Sequence, residues 1–405
     1  MSLDYQQLSS YVSTYAGIRA VSKLEPLGGP RDKVFPPTYG VEDSAATKYA
    51  TELRVVDTAD GTTAQVESVV LNSVAAQAHQ LSRALRAAWE ANDLDLPLIG
   101  TDFSQIEGLE EYGTITDLDA PHRVYDAIHR DSLDSEVPFR FGEIGRAVTE
   151  ATVDNATALY QHSPSALLFG AWDSTGPRGG RGSKFERAIT SEIVATGIAL
   201  GKKTSSRIDP LGIEKVDGIY RSTDGSWTFD ESQAVPKSKP IRPSEINHGN
   251  VTPSIDAKAG GITAASIEAT TVLSLIQLRR LKFPKTTDGA PLDQSAGHAA
   301  RTTLAALGLA ATTLAFEQGF DLRSRCVLAP TSELVFDAVG RAGEVESFTL
   351  TGAEALALVA ESADAAAKAG LRWRSGLRRL PPAERLIELV RRSRDAAIAS
   401  APVEG

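Results

Sequence analysis

The run HSPSALLFGAWDSTGPRGGRGSKFERAITSEI, from His162 to Ile193, decides the reading of this chain. It predicts a strand, a glycine-rich loop and a helix. Ser165 to Phe169 is a short apolar run, and Gly179, Gly180 and Gly182 let the chain turn tightly. Ser183 and Glu186 supply an S-x-x-E capping box that should start a helix close to Lys184. Free N–H groups at such a helix end attract phosphate, and Arg178, Arg181, Lys184 and Arg187 place positive charge beside them. Two enzyme readings fail on spacing. A nucleotide-hydrolase loop requires G-x-x-x-x-G-K-[ST], whereas Gly182 is followed by Ser183 and then Lys184-Phe185; a dinucleotide fingerprint requires glycine where Phe185 stands.

Aromatic and cationic residues continue outward from that loop, the combination that single-stranded RNA needs for base stacking and phosphate neutralisation. Trp172 adjoins it, Lys202, Lys203 and Arg207 follow, and GIYRSTDGSWTF (218–229) sets Asp224-Gly225 between two strand-like pieces, a hairpin signal that carries Tyr220, Trp227 and Phe229. The polar excursion from Asp230 to Pro253 contains Asn247, His248 and Asn250, which either reach ribose hydroxyls and base edges or close a turn on its own backbone. Upstream, GGPRDKVFPPTYG (28–40) offers Lys33 in a rigid loop that contacts RNA or braces a sheet.

The remaining periodicities point to an α+β fold, a sheet with helices on one face. Helical spacing marks 67–89, 263–283 and 297–318, with Gly319 as a stop. Thr351 and Glu354 form a capping box before an Ala-rich run that closes at Gly370, and Pro381-Pro382 introduces a last helix with Leu386, Leu389 and Val390 on one side. Strands are expected at 53–56, 326–328, 335–336 and 348–350.

The chain has 405 residues, 42% of them hydrophobic, and a net charge of -10, so any polyanion site must be local. Basic residues gather at 178–207, 237–242 and 368–394, and acid at 93–111. Neither a secretory signal nor a long unbroken apolar run is evident, and Cys326 is the single cysteine; a reducing cytoplasm is the expected location, without membrane attachment. The six histidines show no metal-ligand spacing and no serine sits in a G-x-S-x-G elbow, so no catalytic residue, metal or cofactor is expected. Asp173 is the one carboxylate in the loop suited to positioning a metal or a ribose hydroxyl.

Several blocks, in order, carry a resemblance: VFPPTYG, VVLNSVAAQAHQLSRAL, PHRVYDAIHRDS, WDSTGPRGG with KFERAITSEI, KTSSRIDPLGI, PSEINHGNVTPSI and TTVLSLIQLRRLKFP. Together they resemble the Cas-seven-type backbone subunit of type I-G (formerly I-U) CRISPR Cascade complexes, in the RAMP superfamily, over about 33–284. The resemblance implies a single domain over 1–405: a modified RRM-like (ferredoxin-like) palm with helical finger insertions and a protruding thumb hairpin, here 218–253. A basic helical extension over 366–405 lies beyond the matching blocks. The implied partners are guide CRISPR RNA, target DNA reached through the guide, further copies of the chain, and the large and Cas-five/Cas-six-like subunits. The alternative within the same superfamily is a metal-dependent endoribonuclease using Asp173.

Overall fold

The computed structural model describes residues 3–58, 60–176, 182–286, 288–292 and 294–400. They divide into two compact units: Met1–Pro37, Ala50–Ala199 and Thr263–Ala383 form the first, and Thr38–Tyr49, Leu200–Ile262 and Glu384–Gly405 the second.

The first unit is built on helix α1 (Tyr5–Thr14), β1 (Gly17–Pro26), β2 (Thr51–Asp57), β3 (Thr63–Asn72), α2 (Val74–Glu90), β4 (Ile189–Leu200), β5 (Ile262–Ser274), α3 (Gln294–Gln318), β6 (Phe320–Arg323), β7 (Cys326–Pro330), β8 (Val335–Val339), β9 (Val345–Thr349) and α4 (Gly352–Lys368). Its strands join in a nine-stranded sheet ordered β6-β7-β1-β5-β4-β3-β2, with β8 also paired to β1 and β9 to β8. β1 and β5 run antiparallel with Gly17 opposite Ser274 and Leu24 opposite Ile267.

The alternation in β1 explains the layering. Ile18, Ala20, Ser22 and Leu24 are buried while Arg19, Val21 and Lys23 are exposed, so one sheet face meets the helices and the other meets solvent. Helix α3 packs against α1, α2 and α4. At Gly308 it comes so close to the sheet that a Cβ there would sit 3.1 Å from Leu273 and 3.2 Å from Leu168. Ala296–Gln318 is long and apolar enough to cross a membrane, but most of it is buried inside the protein as a core helix.

Several expectations hold. Gly319 (φ +70°) ends α3, Thr351 and Glu354 close a reciprocal capping box on α4, and Gly370 (φ +94°) follows it. The strands expected near 53, 326, 335 and 348 are present. Three assignments are corrected. The helix expected over 263–283 is β5 followed by a short helix, Leu275–Arg279, because Ile262, Thr263, Ile267, Thr270, Thr271 and Val272 favour a pleated central strand. The helix expected over 67–89 starts only at Val74, where the Ser73 hydroxyl accepts from the Ala76 amide at 3.3 Å; 67–72 belongs to β3. The strand expected over 165–169 is the helix Pro164–Phe169, with proline in its first turn and all six residues buried.

The second unit holds a ribbon of Lys203–Arg207 paired with Val251–Asp256 and a hairpin of Tyr220–Arg221 paired with Trp227–Thr228. Gly225 takes φ +83° in the expected Asp-Gly turn. The Tyr49 hydroxyl accepts from the Gly261 amide at 2.7 Å. In the final helix, Glu384–Ser400, the predicted apolar side is corrected: Leu386 and Ile387 are buried, whereas Leu389 is 64% exposed.

Candidate nucleic-acid interface

The capping box expected at Ser183 does not form. Lys184–Phe185 is instead a short strand paired with Ala171–Trp172, and the Asp173 amide donates to the Ser183 carbonyl at 2.9 Å. The Ser183 hydroxyl donates to the carbonyls of Thr149 and Ala151, at 2.9 and 2.5 Å. Glu186 accepts from Gln277 at 2.7 Å and Arg280 at 2.9 Å instead of reaching back to a cap. The phosphate-attracting helix end is therefore withdrawn. The physical reason is the alternation Ile189, Ser191, Ile193, all buried on one side of β4, which continues the chain as a strand.

Two glycines make this pinch possible. Gly170 takes φ +78°, and a Cβ there would lie 2.8 Å from Arg187 Cγ. Gly182 passes so near Asp173 that a Cβ would lie 1.9 Å from its carbonyl oxygen. The intervening residues 177–181, including Arg178 and Arg181, lie outside the described residues.

Asp173 forms the base of the loop. It is 1% exposed, and its Oδ1 accepts from Arg140 Nη2 at 2.6 Å and the Thr175 amide at 3.2 Å. Arg140 Nη1 also donates to the Thr175 carbonyl at 2.9 Å, and Arg130 Nη1 to the Thr175 hydroxyl at 3.3 Å. This carboxylate anchors the loop on two arginine-bearing segments. Arg130 and Arg140 carried no sequence signal, because they reach Asp173 and Thr175 only through long-range folding. Among the described residues, no three His, Cys, Asp or Glu side chains converge in a way that would hold a metal ion.

Outside that base the ribbon offers an open surface. Trp172 is 49% exposed with the Lys184 ammonium 5.9 Å from its ring centre, a cation–π arrangement, and Arg187 is exposed two residues beyond buried Phe185. Lys33 lies elsewhere in the first unit, half-buried, its amide donating to Asp32 Oδ1 at 2.8 Å.

The other predicted residues gather in the second unit. Lys202 and Lys203 are exposed at the start of the ribbon. Arg207 donates to the carbonyls of His248 (2.9 Å) and Gly249 (3.0 Å), and Asn250 Oδ1 accepts from the Asp209 amide at 2.8 Å. Asp209 in turn accepts from the Gly249 and Leu211 amides, and these bonds hold its carboxyl below the ordinary range. Arg207 and Asn250 thus close the turn on its own backbone. Asn247, in the left-handed region at φ +59°, stays exposed, and His248 sits 6.4 Å edge-on from Trp227. Trp227 and Phe229, 41% and 60% exposed, meet edge to face at 5.3 Å. Asp209, the organiser of this turn, was missed by sequence reading because Gly249 and Asn250, which it ties to the turn, lie 40 and 41 residues away.

Fold and site together define a mixed α+β protein built on a large antiparallel sheet, with exposed aromatic and cationic groups on ribbons in each unit. Residues 18–200, somewhat under half of the chain, match the family model described as CRISPR-associated protein GSU0053, which supports a CRISPR-associated protein. None of the curated proteins matches the chain.

Proposed function

We propose that the chain is a non-catalytic, cytoplasmic subunit that coats the guide RNA of a type I-G CRISPR surveillance complex. The observation that carries this reading is the exposed Trp172 ring with the Lys184 ammonium over it, beside a glycine-rich basic segment and inside the stretch that matches the CRISPR-associated family. An indole face and nearby cations are what a single strand needs for stacking and phosphate neutralisation, whatever its sequence. On this reading the first unit's sheet is a modified RRM-like palm with helical fingers, 218–253 is the thumb, and copies of the chain stack along the guide with the large and Cas-five/Cas-six-like subunits at hand. Target DNA is then read by base pairing to the guide, not by side chains.

Purification without nuclease should yield RNA of defined length, left intact by added Mg²⁺. Affinity should fall steeply with salt, since each neutralised phosphate releases counterions. Replacing Arg178, Arg181 and Lys184 together with Ala should weaken binding to all sequences alike and flatten that salt dependence. Equal affinity of variant and parent would refute the reading, as would cleavage of the RNA.

A further inference from the structure

Strand β2 ends the nine-stranded sheet with its outer side open. Among the described residues it pairs only with β3, from Thr51 opposite Val69 to Asp57 opposite Thr63, with no register shift between. The bonds at the two ends of that ladder fix which backbone groups are left over. The Val70 amide donates to the Ala50 carbonyl at 3.3 Å, and the Thr58 amide to the Thr62 carbonyl at 2.8 Å. Positions alternate along an antiparallel ladder, so Glu52, Arg54 and Val56 likewise direct their backbone groups at β3, while Thr51, Leu53, Val55 and Asp57 turn theirs outward. At those outward positions Leu53 and Val55 are 63% and 64% exposed.

A long, unbroken, apolar edge is what folded chains otherwise guard against, because it is a template for another strand. The remaining edges of this sheet are less suited to that. β6 has four residues and a register shift between Asp321 and Arg323, and β9 has five residues. β2 has seven, without proline, and its charges suit a copy of itself. When a second β2 lies antiparallel on the open side with Leu53 opposite Leu53, Thr51 faces Val55 and Glu52 faces Arg54, twice by symmetry. The outward groups of Thr51, Leu53 and Val55 then fall in hydrogen-bonded pairs, and Glu52 and Arg54 in the closer pairs between them. Within one copy Arg54 already holds Glu52 at 2.6 Å and Glu192 at 3.2 Å, so this register extends an existing row of alternating charge. Centring on Arg54 instead sets two guanidinium groups against each other, and centring on Val55 leaves Thr51 and Glu52 beyond the overlap.

We infer that β2 pairs with β2 of a second copy of this chain, joining two nine-stranded sheets into one across a two-fold axis. The contact is isologous and closes on itself, so it is distinct from the head-to-tail stacking proposed above and does not rest on the RNA reading. One strand pair buries little surface, which places the association in the weak class.

The test is sedimentation velocity of the full chain, freed of nucleic acid by nuclease, across micromolar concentrations. It compares the parent with Leu53→Lys, Glu52→Arg and, on the β9 edge, Val345→Lys at a position 48% exposed. The parent and Val345→Lys should form a dimer with the same Kd. Leu53→Lys sets two ammonium groups face to face at the axis and should stay monomeric, and Glu52→Arg should raise Kd roughly tenfold. All three substituted side chains are exposed, and a Tm equal to the parent's checks that each variant is folded. A monomeric parent overturns the pairing and leaves the edge to a different chain. A dimer kept by Leu53→Lys, or lost equally in Val345→Lys, overturns it too, and a Glu52→Arg dimer as tight as the parent's overturns the Leu53-centred register.

Discussion

At the scale of single residues, the loop base is held by a buried charge pair. Asp173 is 1% exposed and Arg140 supplies its 2.6 Å partner, so Arg140→Ala leaves a buried carboxylate uncompensated. Removing one partner of such a pair costs about 3–5 kcal/mol, and chemical denaturation should show a loss in that range. A loss no larger than that of an exposed pair would mean the carboxylate finds water. Asp117 gives a different signature. It is buried, accepts hydrogen bonds from Ser163, Ser165 (3.0 Å) and the Ile99 amide (3.2 Å), and burial pushes its carboxyl up to about 6 despite those bonds. The folded form therefore keeps its proton to higher pH than the unfolded chain does. Stability from this group declines as pH rises from the ordinary value of 3.8 through about 6 and is level above. Asp117→Asn should remove that decline: between about pH 4.5 and about pH 7 the parent's urea midpoint should drop more than the variant's. Parallel drops would assign the pH dependence elsewhere.

Elements are fixed by their ends and by their closest approaches. The α4 capping box has Thr351 and Glu354 each bonded to the other's backbone, at 3.3 and 2.9 Å, so Thr351→Ala should cost about 1 kcal/mol of stability in urea. Along α3, Gly308 faces Leu273 of β5 with no space for a larger side chain. Gly308→Leu should destabilise by about 1–3 kcal/mol despite its better helix propensity, because overpacking displaces the sheet face that carries β5. A neutral result by calorimetry would show that this helix can slide.

For the whole molecule, charge is unevenly spread. Leu200–Ile262 carries nine Lys and Arg against eight Asp and Glu, so the chain's net charge of -10 comes entirely from outside this segment. On the proposed reading, copies that stack along a guide need complementary faces, and the exposed acidic positions Glu107, Glu110 and Glu111 would meet basic residues of a neighbouring copy. Reversing the three to Lys should lower the number of copies bound per RNA in native mass measurements, with single-copy affinity preserved or raised. Unchanged stoichiometry would remove that contact from the assembly.

What could be known before any coordinates was local chemistry. The Thr351–Glu354 capping box, the Asp224-Gly225 turn and the Gly319 and Gly370 stops all follow from preferences within a few residues of the position concerned. Spacing failed where two periods overlapped: β5 and β3 place apolar residues at steps that also suit a helix, and only neighbouring strands on both sides select the pleat. The S-x-x-E pattern at Ser183 misled for the same reason, since the Thr149 and Ala151 carbonyls, more than thirty residues away, claim the hydroxyl. Composition, charge and the basic glycine-rich segment were legible in the chain itself. That Asp173 is an anchor clamped by Arg140, that Arg207 and Asn250 serve their own turn, and that Arg279 and Arg341 cap the carbonyl end of α1 are decisions of tertiary structure, because pairing across such separations depends on how the intervening chain packs.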